Sequence, residues 1–251
     1  MSTKYYFSGI DRASFVELLA SEGAAGMVNA RNATQPAMLA AYQRWPEIPL
    51  VLDSGAFQGV TDVTWYAKVV HEIGDRFTWV ANLDVIGNQQ ASDENWLRLS
   101  DEMDVHPLWI YQVEGGEGLN HLRAWLDTRI GTNTFGVGGL VPIIKANPQR
   151  AIQTIKTIGE VLEPWRKAHF FGVGTSTILA RFAHEPWFAS ADSQTWLCGF
   201  KNRELLTPRG RWKCNDLDLE LSREECARQN VRQVHRWLSG RPIQFGLLQS
   251  A

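Results

Sequence analysis

The stretch Val51-Leu52-Asp53-Ser54-Gly55-Ala56-Phe57-Gln58 joins an apolar run to an acid, then to small residues and an aromatic. The apolar run begins at Ile48 and is typical of a buried strand in a parallel sheet that is covered on both faces. Asp53 would then stand at the carboxyl end of a strand, with the Phe57 ring beside it. Asp-Ser-Gly is also typical of an Asx turn. Whether Asp53 is a turn residue or a site residue therefore depends on which residues stand at the ends of the other strands.

Short apolar runs alternate with helical periodicity along most of the chain. The predicted strands are residues 5–10, 26–30, 48–53, 77–84, 107–113, 134–137, 169–173 and 187–191. Eight strands separated by helices predict parallel βαβ units that close into a single (β/α)8 TIM barrel. The barrel would cover about residues 1–195 of one domain, residues 1–251. The rest, about residues 196–251, would add a basic loop and a helix.

The composition excludes several classes of protein. The chain has 251 residues, of which 44% are hydrophobic and 21% charged, as in a globular α/β barrel. We find no apolar run long enough for a membrane span and no secretory signal, so we predict no membrane partner. Three cysteines are too few for a disulfide framework and fit a reducing compartment. We therefore expect a cytoplasmic protein. Its net charge of −2 argues against nucleic-acid binding by bulk charge, but allows a local basic patch.

Polar residues recur where the predicted strands end. In a barrel of this kind the loops after the strands build the active site, so these side chains would meet at one mouth. The candidates are Asp53, Asp84, Gln112, Glu114 and Asp192, with glycine loops at residues 136–139 and 172–174. Any one acid could be a helix cap and any one glycine a turn residue. Their coincidence at so many strand ends favours a pocket.

Such a pocket combines acid/base capacity with close backbone approach. Two carboxylates can break a glycosidic bond, one attacking the anomeric carbon and the other transferring the proton of the leaving group. A third acid with an amide can bind the polar edge of a purine-like base. Glycine loops let a flat ring approach the backbone.

Five short motifs agree in order with those of one enzyme family. Residues 52–58 (LDSGAFQ) are similar to the family's DSGG(F/Y)Q, 113–116 (VEGG) to VQGG, 138–140 (GGL) to GGL and 171–175 (FGVGT) to MGVGT. Residues 190–193 (SADS) fall where the family has the FDC of its nucleophile. The chain thus resembles the tRNA-guanine transglycosylases over about residues 53–193.

The resemblance implies a role for each matching residue. Asp192 would be the nucleophile on C1′ of the sugar and Asp53 the general acid/base. The base would be held by Phe57, Asp84, Gln112, Glu114, Gly138, Gly139, Leu140 and Gly172. Phe57 would stack on the base, and the 138–140 segment would contribute its backbone. The implied reaction exchanges guanine in a nucleic acid for a free 7-deazaguanine base, through a covalent glycosyl-aspartate intermediate.

The chain departs from the tRNA enzymes in two respects. Glu114 replaces the glutamine of VQGG, while Gln112 lies two residues earlier on the same strand face. The C-x-C-x2-C zinc motif is missing. A zinc site made of Cys198, Cys214, Cys226 and His235 is conceivable, but structural zinc usually has closely spaced ligand pairs. We therefore expect no cofactor.

The short barrel with SADS after its last strand is more similar to the DpdA-type 7-deazaguanine DNA transglycosylases of phage and bacterial DNA modification systems. The implied partner is then DNA, with the target guanine flipped out of the duplex or presented on a single strand. Beyond Asp192, the basic segment could hold phosphates through Arg203, Arg209, Arg211 and Lys213, and Trp212 could stack or wedge. A solvated basic loop is the simpler explanation of the same residues.

Three alternatives remain open at the level of sequence. The substrate could be tRNA instead of DNA. The chain could instead be a barrel enzyme acting on a small sugar phosphate, since the loop at residues 172–175 occupies a common phosphate-binding position. It could also be a nucleic-acid-binding module with a decayed site, although the acids at both key strand ends argue against this.

Overall fold

The computed structural model describes residues 3–113, 118–128 and 133–239. At its centre lies a curled sheet of seven parallel strands surrounded by helices. The strands are β1 (Lys4–Phe7), β2 (Ala25–Asn29), β3 (Leu50–Asp53), β4 (Ile110–Gln112), β5 (Thr134–Gly138), β6 (Lys167–Phe170) and β7 (Phe188–Ser193). Their order across the sheet is β3-β2-β1-β7-β6-β5-β4.

Helices follow most of the strands and cover the convex side of the sheet. They are α1 (Ala13–Ser21), α2 (Ala30–Ala33), α3 (Pro36–Arg44), α4 (Val63–Ile73), α5 (Gln89–Leu97), α6 (Gly118–Thr128), α7 (Leu140–Ala146), α8 (Pro148–Glu160), α9 (Ser176–Phe182), α10 (Cys198–Asn202) and α11 (Arg223–Leu238). The main apolar core lies between these helices and the sheet. The prediction of parallel βαβ units is confirmed. No helix of the described residues is long and apolar enough to cross a membrane.

The fourth predicted strand, residues 77–84, is not a strand of the sheet, and the predicted closed eight-stranded barrel was wrong to that extent. The segment forms two isolated parallel bridges, Leu52↔Val80 and Ala81↔Leu108. The Ala81 N–H donates to the Leu52 carbonyl at 2.8 Å, and the Leu108 N–H donates to the Val80 carbonyl at 2.7 Å. On each side, too few consecutive residues are paired for the segment to count as a strand of the sheet. The segment therefore lies between β3 and the residues just before β4, and one bridge joins it to each of them.

Two further elements differ from the sequence-based expectations. The helix predicted over residues 91–103 is divided into α5 and a π-helical turn, Arg98–Glu102. The basic segment expected as a loop contains an antiparallel hairpin of β8 (Glu204–Thr207) and β9 (Gly210–Lys213). Buried Leu205 and Leu206 on β8 fix this hairpin to the protein, while every residue of β9 is exposed.

The C-terminal helix α11 is joined to the sheet unit by polar and aromatic contacts. Ser222 and Glu225 form a capping box at its start. Arg232 forms an ion pair with Glu22, just after α1, at 2.7 Å, and the His235 ring lies 5.6 Å from the Phe7 ring on β1. These contacts fix the second half of α11 against the end of α1 and against β1.

Candidate active site

The concave side of the sheet carries a small cluster of its own, separate from the main core. Tyr6, Met27 and Val51 are buried there, with Trp79 and Phe171 packed against them. Side chains alternate between the two faces of a strand, so residues two positions further along point to the same side. Asp53 follows Val51 in this way. The cluster is thus the floor of a space whose mouth lies at the carboxyl ends of the strands.

Asp53 is the last residue of β3 and is partly exposed in this mouth. Burial and, to a smaller extent, the charges of Asp84 and Asp192 raise the pKa of its carboxyl group to about 7, against hydrogen bonds from the Gly55 and Ser54 backbone that lower it. The three carboxylates therefore lie close enough to interact. A group with this pKa is poised to give and take a proton near neutral pH.

Asp84 follows the bridging segment and is held by an amide. Gln112 Nε2 donates to Asp84 Oδ2 at 2.6 Å. Burial raises the pKa of Asp84 to about 6, while this hydrogen bond acts in the opposite direction. Gln112 is itself fixed by Gln89, whose Oε1 accepts from the Gln112 backbone N–H at 2.6 Å. Gln112 Oε1 is buried and accepts no hydrogen bond from the described residues, which makes it an unpaired acceptor beside a carboxylate.

Asp192 lies deeper than Asp53. It is 5% exposed and stands opposite Tyr6 in the register of β7 and β1. The Gly172 N–H donates to Asp192 Oδ1 at 3.0 Å, and His169 Nε2 lies 3.4 Å from the same oxygen. The carboxylate is therefore oriented from one side by β6 and its loop. Only a group that enters the mouth deeply can reach it.

His169 is a site residue that the sequence analysis did not single out. Its Nδ1 lies 2.8 Å from Ser190 Oγ, and its ring is 4.9 Å from that of Trp79 and 4.4 Å from that of Phe171. A fully buried imidazole needs polar neighbours, and here Ser190 shares a hydrogen bond with it and the Asp192 carboxylate lies 3.4 Å away. The available signal was a histidine on β6 two residues before Phe171, which directly follows the strand.

The glycines of the mouth permit close contacts. A Cβ at Gly138 would lie 2.8 Å from Gln112 Nε2, and a Cβ at Gly174 would lie 2.4 Å from that of Ser193. Gly172 has a φ of +72°, and a Cβ there would lie 2.2 Å from Val141. Its backbone N–H binds Asp192. The structure therefore gives Gly172 a role in holding Asp192, whereas the resemblance implied base binding.

The remaining predicted base-binding residues are distributed around the rim. Phe57 lies on the 3-10 turn after β3, between two glycines of positive φ, and is 75% exposed. Gly139 ends the loop before α7, and the side chain of Leu140 is fully buried in the core, so only its backbone faces the loop. Glu114 lies outside the described residues.

The four predicted phosphate-binding cations do not act alike. Arg203 is partly buried, and its Nε donates to the Leu221 carbonyl at 3.0 Å, which makes it a structural link between β8 and the loop before α11. Arg209, Arg211, Lys213 and Trp212 are exposed on the hairpin. The Ser176 hydroxyl donates to the Pro208 carbonyl at 3.4 Å, so the hairpin tip reaches the start of α9, after β6.

The four residues of the conceivable zinc site are not brought together. Cys214 and Cys226 are buried with their sulfurs 3.0 Å apart, but Cys198 bonds to the Glu204 carbonyl and Asn230, and His235 packs on Phe7. Within the described part of the chain, no three His, Cys, Asp or Glu side chains are arranged to hold a metal ion.

Comparison with known proteins adds no assignment to this geometry. No family model matches the chain, and no curated protein matches its sequence. The function must therefore be argued from the site itself. The site contains a buried, oriented carboxylate, a second carboxyl group with a pKa near neutrality, and an acid–amide pair whose carboxylate acts on that second group.

The contact between Gly138 and Gln112 gives a test of the acid–amide pair. We expect Gly138→Ala to displace the Gln112 amide, because the new methyl group would take its place, and to break its bond to Asp84. Loss of a hydrogen bond to a charged group costs about 1.5–3 kcal/mol, or roughly 10–100-fold in affinity for a ligand that needs the pair. Calorimetric titration with guanine and 7-cyano-7-deazaguanine measures this. Thermal unfolding should change little because the displaced group is the end of a flexible side chain. An unchanged affinity for both bases would contradict a role for the pair.

Proposed function

We propose that this protein is a transglycosylase that replaces guanine in DNA by a 7-deazaguanine base, and that its curled sheet derives from a (β/α)8 TIM barrel. One observation carries the proposal. Asp53 and Asp192, which are distant in sequence, lie at the carboxyl ends of β3 and β7 in the same sheet, and the charge of Asp192 contributes to the raised pKa of Asp53. This is the pairing that glycosyl exchange through a covalent intermediate requires.

In the first half-reaction, an oxygen of Asp192 forms a bond to C1′ as the C1′–N9 bond of guanine breaks. The electron pair of that bond goes to guanine, which takes a proton from the neutral carboxyl group of Asp53. In the second half, the Asp53 carboxylate accepts the N9 proton of the incoming 7-deazaguanine. N9 then bonds to C1′ and the Asp192 carboxylate leaves. Atoms and charges balance, and no other reactant is consumed.

The surrounding residues suit these steps. Gly172 and His169 orient one oxygen of Asp192. The Asp84 carboxylate accepts hydrogen bonds, and the Gln112 amide offers the free acceptor Oε1, so the pair can bind the N–H groups along the edge of a guanine-like base. Phe57 is the exposed aromatic ring of the adjoining loop and can cover one face of that base.

The depth of Asp192 bears on the substrate. The Asp192 carboxylate, which is 5% exposed, cannot reach the anomeric carbon of a nucleotide whose base is stacked within a duplex. The target nucleotide must therefore be flipped out or single-stranded. We choose DNA as the polymer and keep tRNA as the alternative.

Labelled 7-cyano-7-deazaguanine separates these substrates. The protein is incubated with the labelled base and with single-stranded DNA, duplex DNA or tRNA, and the label retained by each polymer is counted after denaturing purification. Retention by DNA alone supports the proposal, and retention by tRNA alone selects the alternative. Retention by none of them, with a folded protein, contradicts base exchange.

The exposed hairpin should bind the polymer. We expect Arg209→Ala combined with Arg211→Ala to weaken DNA binding about tenfold and to lower the slope of log affinity against log salt concentration by about 1.4, since each of the two lost phosphate contacts contributes about 0.7 on a single strand. Fluorescence anisotropy over a salt series measures both. A matched control is Arg150→Ala combined with Lys156→Ala on α8. Equal binding by the two double variants would remove the hairpin from the interface.

The structure weakens the sugar-phosphate alternative at the position that motivated it. In the loop at residues 172–175, the Gly172 N–H is taken by Asp192, and Gly174 lies against Ser193. Both glycines are therefore explained by contacts within the protein. A sugar-phosphate enzyme would also leave the meeting of Asp53 with Asp192 without a purpose.

A further inference from the structure

A second polar cavity opens beside the mouth, and nothing in the proposed reaction uses it. It has a volume of about 390 Å³ and is lined by residues that follow β1, β2 and β7, by residues of α1 and α10, and by the first residue of α11. Asn29 and Gln194 lie on its wall. Asn29 is paired with Asp53 in the register of β2 and β3, and Gln194 is two residues beyond Asp192. The cavity is therefore adjacent to both proposed catalytic residues.

The rim of this cavity is cationic. Arg12, Lys201 and Arg223 line it, and Asp11 is the carboxylate among its lining residues. Asp11 is held by Arg12, with Nε–Oδ1 at 2.7 Å. Lys201 and Arg223 are exposed, and neither forms an ion pair with a carboxylate of the described residues. Three cations against one carboxylate leave a local excess of positive charge beside a mouth that contains three acids.

The floor of the cavity is apolar, with the rings of Phe15 and Phe200 packed edge to face at 5.0 Å. Phe15, Leu197 and Phe200 line it. The Arg12 guanidinium lies 4.9 Å from the centre of the Phe15 ring and 5.5 Å from that of Phe200. Arg12 is thus fixed both by its carboxylate partner and by two rings. An apolar floor with a cationic rim suits a nucleotide, whose base has a flat face and whose phosphate is anionic.

The position of the cavity relative to the hairpin suggests a path for the polymer. The sheet order places β2, β1, β7 and β6 side by side. The cavity lies over β2, β1 and β7, whereas the hairpin tip contacts the start of α9, after β6. The two cationic regions therefore flank the end of β7, the strand that carries Asp192. A chain bound by both would pass over the nucleophile.

We propose that this cavity binds the nucleotide next to the target guanine, with Lys201 and Arg223 contacting the flanking phosphodiester. The inference rests on the proposed function for the identity of the neighbouring nucleotide. The bound chemistry, a phosphodiester with its base, does not depend on whether base exchange occurs. Because the acids of the mouth repel a polyanion, cations on both sides of it would supply the attraction that the mouth lacks.

The test compares two double variants of the full chain. Lys201→Ala with Arg223→Ala removes the two exposed cations and leaves the Arg12 stack intact. Lys68→Ala with Arg150→Ala removes the same charge from the outer helices α4 and α8. Anisotropy is measured with a single-stranded thymine oligonucleotide and with one containing guanine, over a salt series. We expect the cavity variant to bind both about tenfold more weakly, with a salt slope lower by about 1.4, and the control to bind like the wild type.

The outcomes separate this inference from the proposed function. Weaker binding in the cavity variant without any base exchange in the wild type keeps the inference and removes the proposed function. Unchanged binding, or a wild type that binds neither oligonucleotide, overturns the inference. Competition with inorganic phosphate shows whether the cavity prefers a phosphodiester of the polymer or free phosphate. Displacement of the oligonucleotide by phosphate at micromolar concentration would show a site for free phosphate and would also overturn it.

Discussion

Asp192→Asn should reduce base exchange by about 10³-fold or more, the scale of loss seen when a catalytic nucleophile is removed. The asparagine keeps the volume of the side chain and an oxygen that accepts from the Gly172 N–H, so the fold should be retained. It lacks the negative charge needed to attack C1′. Scintillation counting of labelled base transferred to DNA measures the loss.

The same residue should be trapped as a covalent adduct in the wild type. With guanine-containing DNA and no incoming base, we expect a protein–DNA species that survives denaturing electrophoresis and disappears in Asp192→Asn. Asp127→Asn, on the exposed face of α6, is the matched control and should behave like the wild type. Exchange activity that persists in Asp192→Asn would show that another group attacks the sugar.

Asp53→Asn should stabilise the protein at alkaline pH while it removes activity. The pKa of Asp53 is about 7 in the folded protein, against about 4 for an unfolded chain. Between these two values the folded state binds the extra proton, so the stability of the wild type falls as pH rises from 4 to 7, and the loss is complete above 7. An asparagine has no charge to bury. We expect the variant to match the wild type near pH 4 and to exceed it at pH 8 by up to about 4 kcal/mol.

Urea unfolding of both proteins at the two pH values measures this difference. Asp75→Asn on an exposed turn is the control and should shift neither curve. In the wild type, single-turnover adduct formation should fall above pH 7, because the neutral carboxyl group donates the proton to the departing guanine. Asp53→Asn should form adduct at least 10²-fold more slowly and without this alkaline decline. Equal stability at pH 8 would show that the Asp53 carboxylate is well solvated, and would remove the reason for its raised pKa.

The sequence was sufficient to predict the parallel α/β organisation because buried strands and amphipathic helices have different periods. β3 was predicted within a few residues, and α4, at residues 63–73, was predicted at both ends. Residues 77–84 were predicted as a strand, and they form only two isolated bridges. Their apolar run is that of a strand, but the number of consecutive residues that pair with each neighbour depends on the curvature of the whole sheet. That curvature is a property of all the strands together.

The candidate site was predictable where a residue ends a strand and less so where it depends on a partner. The end of β3 identified Asp53, and SADS identified Asp192. His169 was missed because its partners, Ser190 and Asp192, lie on the next strand of the sheet. Gly172 was expected to meet a base, but its N–H binds Asp192.

The basic segment after β7 shows the same limit. Counting cations placed Arg203 with Arg209 and Arg211, although Arg203 binds a backbone carbonyl inside the protein. Lys201 and Arg223 are separated in sequence, and they line the same cavity only in the folded chain.

The sequence by itself determined which segments become strands and helices, and which acids stand at strand ends, because these follow from local periodicity and the connection rules of parallel sheets. Only the tertiary structure decided the depth of Asp192, the raised pKa of Asp53 and the cationic cavity beside them. Burial and charge interaction depend on distances through space, and residues on different strands and helices set those distances together.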